Sequence, residues 1–225
     1  MERKGEINES CVRFWTAELA SACNYLHRQK IIHRSVRGLF AELIPVINID
    51  EQMISTRSDL KPDNILLDAH GHVHLTDFNV AIHYSERRLH TSVAGSMAYM
   101  APEILARAFF PHHLAAIVLI ASFGRLSPDP DYTGKGYTWH VDYWSLGVCV
   151  FELLFGRRPF ESRSADKLTQ AIMRGTIKFP SGADEKCSKE GQDLVLMVSG
   201  EHLLAPEGDE FISRFSSLIA TPRRG

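Results

Sequence analysis

Four polar side chains in the first half of the chain could together transfer a phosphoryl group to a hydroxyl. Asp59, Lys61 and Asn64 lie within a few residues of one another, and Asp77 follows them closely. One carboxylate can accept the proton of the attacking hydroxyl while the ammonium screens the moving phosphate. An amide and a second carboxylate are oxygen ligands of the kind that Mg²⁺ prefers. The spacing of the first three residues predicts one tight loop that delivers them to a single point.

Two short strands are predicted to position this loop. The apolar run 65–67 follows Asn64 directly, and a second run covers 72–76. Asp68 and Gly71 lie between the two runs and are typical of a tight turn. The predicted hairpin therefore connects the loop to the carboxylate that follows it.

Three histidines in this hairpin alternate along the chain, and the alternation predicts that they share one face. They are His70, His72 and His74. A metal site is one interpretation of such a set. We favour a surface formed by the turn and the strand, because no cysteine or group of acids lies nearby.

Much of the rest of the chain has the pattern of helices. A polar start and recurring apolar residues predict an amphipathic helix over about 10–29. The strongly apolar stretch 139–155 predicts a central helix, which Gly156 ends. Shorter helices are predicted over 166–174 and from 191 to 197. The fold class is therefore expected to be mainly α with short β-strands.

These motifs, in this order, resemble the C-terminal (large) lobe of a eukaryotic protein kinase. His33-Arg34 resembles the start of the catalytic-loop motif, and residues 59–64 resemble its remainder. Asp77-Phe78-Asn79 resembles the metal-binding Asp-Phe-Gly, with Asn in place of Gly. The sequence of residues 70–81, HGHVHLTDFNVA, resembles that of the YANK-type branch of the AGC serine/threonine kinases. Two further matches are Ala101-Pro102-Glu103, at the end of an activation segment, and residues 142–147, in the buried helix after it.

The resemblance implies a serine/threonine protein kinase that uses ATP and Mg²⁺ and acts on a protein substrate. Asp59 would be the catalytic base, and Lys61 would steady the transferred phosphate. Asn64 and Asp77 would bind the cofactor by holding magnesium against the nucleotide phosphates. Asn79 replaces a glycine, but Asn tolerates a left-handed backbone better than most residues do.

Regulatory roles are implied for residues in and near the activation segment, which is expected to be a loop over residues 77–103. Ser92 would be a phosphosite for an upstream kinase, and its phosphate would meet Arg34 in a charge-assisted contact. An ordinary loop serine is the alternative for Ser92. Ser96 resembles the hydroxyl residue that touches the catalytic loop and marks serine/threonine specificity.

Structural roles are implied for three residues. Asp142 resembles the buried acid that accepts backbone donors from the catalytic loop, and His33 opens that loop. Glu103 would pair with a buried arginine from a later helix. The tail after Met197 offers no matching motif, although it contains Arg214. The region around Glu103 is therefore expected to be loose, because an unpaired buried carboxylate is costly.

Three stretches interrupt the resemblance. Residues of about 35–58 and 108–134 have no kinase counterpart, and 198–225 form a divergent tail for which disorder is one possibility. Residues 1–197 would then be a partial kinase domain. Val36-Arg37 and Val198-Ser199 can both be encoded by a splice-donor consensus, so one hypothesis is that introns were read into the protein sequence. True loop insertions are the alternative, since closing a longer loop costs little.

The small lobe of a kinase, which binds ATP from the side opposite the large lobe, is not found among these residues. No glycine-rich loop precedes Phe14, and no strand lysine faces a helix glutamate. We therefore keep two functional hypotheses. The first is a serine/threonine kinase in a truncated chain, and the second is an inactive kinase-like fragment that serves as an interaction module or reflects an incomplete gene model. For these 225 residues alone we expect no measurable phosphotransfer.

Composition sets the remaining limits. A net charge of −2 gives no electrostatic reason to expect a nucleic-acid or acidic-membrane partner. The four cysteines are scattered, which favours reduced thiols and a cytoplasmic or nuclear location. The chain opens with charged residues rather than a signal peptide. Its longest apolar stretch, 114–123, is about half the length that a membrane span requires.

Overall fold

The structure is a computed structural model, and it describes residues 8–34, 65–75, 78, 80–84, 97–109, 139–174 and 176–198. Side chains are described for all of these except 65–67, 107–109 and 197–198. Among these residues helices dominate, and two sheets of two short strands each accompany them. The predicted class, mainly α with short β-strands, is confirmed.

The helices and strands of the described residues follow one another along the chain from a long N-terminal helix to a shorter last one. They are α1 (Glu9–Arg28), β1 (Ile31–Ile32), β2 (Ile65–Leu67), β3 (Val73–Leu75), β4 (Ile82–His83), a 3₁₀ turn (Met97–Tyr99), α2 (Pro102–Phe109), α3 (His140–Phe155), α4 (Ala165–Arg174), α5 (Ala183–Lys186) and α6 (Lys189–Val198).

The core is built around α3, which is buried on nearly all sides. α1 packs against one side of α3 and α6 against another. A helix that is apolar all round must lie inside the protein, and large side chains such as Trp144 and Phe151 are almost completely buried. Burying one such side chain stabilises the fold by about 1.5–3 kcal/mol. Gly156 ends the helix as expected, with a left-handed φ of 69° and an N–H that donates to the Glu152 carbonyl at 2.8 Å.

α1 presents two different faces to the rest of the protein. The Asn8 side chain caps its start by accepting the Ser10 N–H at 3.1 Å. Val12, Leu19 and Cys23 belong to the buried stripe of the helix, at the spacing expected for an amphipathic helix. A separate part of α1 contacts β3. The helix therefore lies between the core and the β2–β3 hairpin.

Both sheets are antiparallel pairs. In the β2–β3 hairpin Ile65 is opposite Leu75 and Leu67 is opposite Val73, so the strands agree closely with the predicted runs. In the turn, Gly71 has a left-handed φ of 85°, which glycine adopts without steric cost. The β1–β4 pair, with Ile32 opposite Ile82, was not expected from the sequence. Two-residue strands carry too little periodic signal to be recognised.

The activation segment, expected to be a loop over residues 77–103, ends in a helix instead. α2 begins at Pro102, where a fixed φ and a missing N–H suit the first helical position. Ile104 and Leu105 are buried, and α2 packs against α4. α2 also runs to Phe109, across the predicted start of an insertion at about residue 108. Tertiary packing therefore extends order into a stretch whose local sequence suggested a loop.

The start of α6 is joined to the start of α1. The Glu9 carboxylate accepts the Ser188 N–H at 2.9 Å and the Ser188 hydroxyl at 2.5 Å. The same hydroxyl oxygen accepts the Gly191 N–H at 3.1 Å, so Ser188 caps α6. A Cβ at Gly191 would lie 2.5 Å from Cys187 Sγ and 2.8 Å from Glu9 Oε1. These distances leave no room for a side chain.

We expect Gly191→Ala to lower the free energy of unfolding by about 1–3 kcal/mol, because the new methyl displaces two neighbours that are already held in place. Helix propensity alone predicts the opposite sign, a gain of about 1 kcal/mol. Urea unfolding followed by circular dichroism measures the difference. The control, Glu190→Ala on the exposed side of the same turn, should stay within about 0.5 kcal/mol of wild type. A stabilised Gly191→Ala variant would show that the space is larger than the distances indicate.

Candidate active site

Asp142 lies in the first turn of α3, and its carboxylate has no solvent exposure. Oδ1 accepts the backbone N–H of Arg34 at 2.7 Å, and Oδ2 accepts the backbone N–H of His33 at 2.9 Å. Oδ2 also lies 2.8 Å from Nε2 of His27, near the end of α1. One carboxylate thus joins α1, the chain that leaves β1, and α3.

This arrangement explains how a charged group is accommodated in the core. A buried carboxylate is tolerated when hydrogen-bond donors surround it, and bonds to a charged acceptor are stronger than neutral ones. The first turn of a helix also favours a negative charge, because the backbone N–H groups there point toward it. Since the carboxylate accepts, Nε2 of His27 carries the hydrogen. Nδ1 of His27 is buried and has no hydrogen-bond partner among the described residues.

His33 and Arg34 also contact the segment that follows Asp77. The buried His33 ring meets the Phe78 ring edge-on, with the ring centroids 5.0 Å apart. Nε of Arg34 donates to the Val80 carbonyl at 2.5 Å. Arg34 has a left-handed φ of 64°, which is uncommon for a residue other than glycine, and its N–H bond to Asp142 helps to hold it there. The structure therefore places His33-Arg34, the start of the predicted catalytic-loop motif, beside Phe78 of the predicted metal-binding motif.

Several predicted site residues lie outside the described part of the chain. The β2–β3 hairpin is described, and in the sequence Asn64 directly precedes β2 while Asp77 comes two residues after β3. The roles of the undescribed residues stay predictions. These residues are Asp59, Lys61, Asn64, Asp77, Ser92 and Ser96.

Glu103 is described and lies half-buried in the first turn of α2. Arg214, which the sequence analysis considered as a partner for it, lies outside the described residues. The expectation that the surroundings of Glu103 are loose therefore stays a prediction.

The sequence analysis missed the contacts that hold the 3₁₀ turn against α3. The Ser145 hydroxyl donates to the Tyr99 carbonyl at 2.8 Å, and the Tyr99 hydroxyl donates to the Glu152 carboxylate. Burial, with the nearby Glu152 charge, raises the pKa of Tyr99 well above its ordinary value, so its hydroxyl stays protonated and able to donate. Ser145 and Glu152 lie two helical turns apart, so they share one face of α3. That spacing indicates a contact only when the position of Tyr99 is known.

His27 was missed as well, although it is one of the buried residues of α1. From the sequence, a histidine at the end of an amphipathic helix indicates only a favourable charge near the helix end. Its partner, Asp142, is more than a hundred residues away in the chain. No local pattern could have joined the two.

Two of the three hairpin histidines have side chains beside an acid, whereas His70 lies in the turn. Nδ1 of His72 lies 2.5 Å from Glu18, and Nε2 of His74 lies 3.2 Å from Asp68. No group of three or more potential ligands suited to a metal ion occurs among the described residues.

Within the described ranges, no helix has both the length and the apolar character that crossing a bilayer requires.

Comparison with known proteins identifies the class. The family model for the protein kinase domain matches residues 51–201, and the chain therefore belongs to the protein kinase family. Its relatives include human serine/threonine-protein kinase 32B, 34% identical over 172 residues, and mouse serine/threonine-protein kinase 32C, 34% identical over 222 residues. The ribosomal protein S6 kinase beta of Caenorhabditis elegans is 30% identical over 205 residues. The predicted membership among serine/threonine kinases of the AGC type is confirmed.

The matches cover most of this chain but a small part of each relative. They include 76%, 97% and 90% of this chain and 30%, 33% and 27% of the human, mouse and nematode proteins, respectively. The chain thus spans about a third or less of the length of these curated relatives.

We expect Asp142→Asn to lower the free energy of unfolding by about 1–3 kcal/mol, because the new amide NH₂ must face at least one N–H that now donates to a carboxylate oxygen. Urea unfolding measures this loss. Asp193→Asn is the matched control, since Asp193 is half exposed and forms an ion pair with exposed Lys189 at 3.6 Å. It should stay within about 0.5 kcal/mol of wild type. Equal effects for both variants would contradict the role given to the buried carboxylate.

Proposed function

We propose that this chain supplies the catalytic and metal-binding half of a serine/threonine protein kinase, which transfers the γ-phosphate of ATP to protein hydroxyls. Asp59 is the proposed base and Lys61 the residue that steadies the phosphate. The observation that supports this function best is the group of contacts around His33 and Arg34. Asp142 holds their backbone on one side, while Phe78 and Val80 contact them from the segment after Asp77.

Magnesium and ATP are the proposed cofactors. Asn64 and Asp77 would supply an amide and a carboxylate oxygen, a donor set that fits Mg²⁺. Bound magnesium would neutralise charge on the nucleotide phosphates. In the hairpin between these two residues, Ile65, which follows Asn64 in the sequence, pairs with Leu75, which precedes Asp77 by two residues. This placement supports a shared site for the two ligands.

Regulation by phosphorylation is a further part of the proposal. We assign Ser92 as the site at which an upstream kinase acts, with Arg34 as the contact for the phosphate and Ser96 as the substrate-loop residue. The Arg34 side chain extends toward the segment after Asp77, where it donates to Val80. Its guanidinium is thus directed toward the start of the activation segment.

A cytoplasmic or nuclear location is also proposed. Cys11, Cys23, Cys149 and Cys187, which all lie in the described part of the chain, form no disulfide bonds, which suits a reducing compartment.

A second candidate function rests on a specific feature of the sequence. Residues 35–58 separate Arg34 from Asp59, which are adjacent in the kinase pattern. A displacement of about 1 Å at a reacting group can cost 10²-fold in rate. The second candidate is therefore a catalytically inactive kinase-like module that binds other proteins.

We expect Asp77→Asn to weaken the binding of Mn²⁺·ATP to the chain about 10-fold or more, because it removes a charged metal ligand. Electron paramagnetic resonance of free Mn²⁺ measures the affinity, and Mn²⁺ stands in for Mg²⁺. Asp193→Asn again serves as the control, because it makes the same acid-to-amide change on the exposed surface of α6. Unchanged affinity in Asp77→Asn would remove the metal role proposed for this residue.

Incubation with labelled ATP and a protein substrate separates the two candidates. From these 225 residues alone we expect no measurable label transfer, because phosphoryl transfer depends on positioning and no glycine-rich loop is present among them. Transfer that disappears in Asp59→Asn would instead show an active enzyme and exclude the inactive module.

A further inference from the structure

The tip of the β2–β3 hairpin rests on α1 through a compact set of contacts. The Trp15 indole N–H donates to the Gly71 carbonyl at 2.9 Å. The Glu18 carboxylate receives the Val73 N–H on Oε2 at 2.9 Å and faces Nδ1 of His72 with Oε1 at 2.5 Å. The rings of Phe14 and His72 lie 5.5 Å apart. Three neighbouring side chains of one helix thus meet three consecutive residues of the hairpin.

Glu18 is the charged member of this set, and both of its oxygens contact the hairpin. The Val73 N–H points out of the hairpin, and an outward N–H on a two-stranded sheet requires a partner. Glu18 satisfies that donor and at the same time accepts from the imidazole. Its side chain is one-quarter exposed, so water screens the pair only in part.

A hairpin of this size depends on such contacts for its position. Each strand has three residues, and an isolated two-stranded hairpin is marginally stable at best in water. Asn64 precedes β2 and Asp77 follows β3, so the position of the hairpin decides where the chain delivers these two residues. We propose that Glu18 is a positioning residue, whose carboxylate docks the β2–β3 hairpin onto α1 and does so most firmly when His72 is protonated. This inference rests on the proposed metal role of Asn64 and Asp77.

The charges around His72 decide the direction of the pH dependence. The hydrogen bond to Glu18, followed by the Glu18 charge and then that of Asp68, raises the pKa of His72 above its ordinary 6.5. A group whose pKa is raised on folding stabilises the folded state fully below its unfolded pKa and loses that contribution as the pH rises through the folded value. Docking should therefore be firmest below about pH 6.5 and weaken above it.

Other ionisable groups near His72 belong to the turn itself. Hydrogen bonds from the backbone of His72 and His70 and from the His74 side chain lower the pKa of Asp68 to about 2, so Asp68 stays charged in any mild buffer. His74 contacts Asp68 within the hairpin. His70 lies in the exposed turn, and its backbone N–H also donates to Asp68. These contacts stabilise the turn without reaching α1, so they serve as internal comparisons.

The test follows the hairpin by NMR in the 225-residue chain. In wild type, the Trp15 indole N–H resonance should shift between about pH 5.5 and 8.5, in step with the His72 imidazole. Glu18→Gln should remove most of that shift and speed hydrogen exchange of the Val73 amide about 10-fold. His72→Gln, a change at an exposed position, should remove the pH response while leaving the Val73 amide bonded to Glu18. The control, His70→Gln, should behave as wild type in both measurements.

Mn²⁺·ATP affinity then tests the positioning role. Glu18→Gln should weaken binding about 10-fold, the lower end of what loss of an outer contact to metal-site residues costs. The affinity of wild type should fall as the pH rises above 6.5. Wild-type exchange and pH response in Glu18→Gln would overturn the docking proposal. Undocking with unchanged affinity, while Asp77→Asn still weakens binding, would overturn the positioning role. Failure of Asp77→Asn to weaken binding would instead count against the proposed function.

Discussion

A carboxylate enclosed by protein is stable only when hydrogen-bond donors surround it, and Asp142 finds those donors on two separate segments. The backbone of His33 and Arg34 supplies two of them, and His27 supplies the third. Because α3 is the most buried helix among the described residues, its first turn is a rigid support for the chain that leaves β1. The left-handed backbone at Arg34 and the contacts to Phe78 and Val80 are consistent with this support. The candidate active site therefore depends on a charge in the core.

The hairpin is positioned by a different kind of interaction. Its contacts with α1 lie near the surface, where Glu18 and His72 are partly exposed and water weakens their attraction. α1 consequently supports both halves of the candidate site, with its buried stripe against α3 and another face against the hairpin. The core side is held by apolar burial and by the hydrogen bonds to the Asp142 carboxylate. The hairpin side depends on a partly exposed pair, Glu18 and His72, so the two halves of the site differ in how far water screens the charges that hold them.

Much of the fold could be predicted because long helices repeat their pattern several times. α1, α3 and α4 were placed within a residue or two by periodicity and by the glycine after α3. β2 and β3 were recognisable from a short apolar run and a turn with Asp68 and Gly71. β4, α5 and the full extent of α2 were not, since each is short or follows a stretch with loop-like composition. In those elements packing against distant residues decides the structure.

Residue types and their spacing were enough to indicate the family and the chemistry to expect, because kinase motifs keep characteristic residues close together along the chain. They also indicated Asp142 as a buried acid, by resemblance. Packing alone established that His27 shares that carboxylate, that Phe78 contacts His33, and that Glu18 supports the hairpin. Each of these contacts joins residues more than forty positions apart. Periodicity and motif spacing describe neighbours along the chain, whereas such contacts exist only after helices and strands have packed.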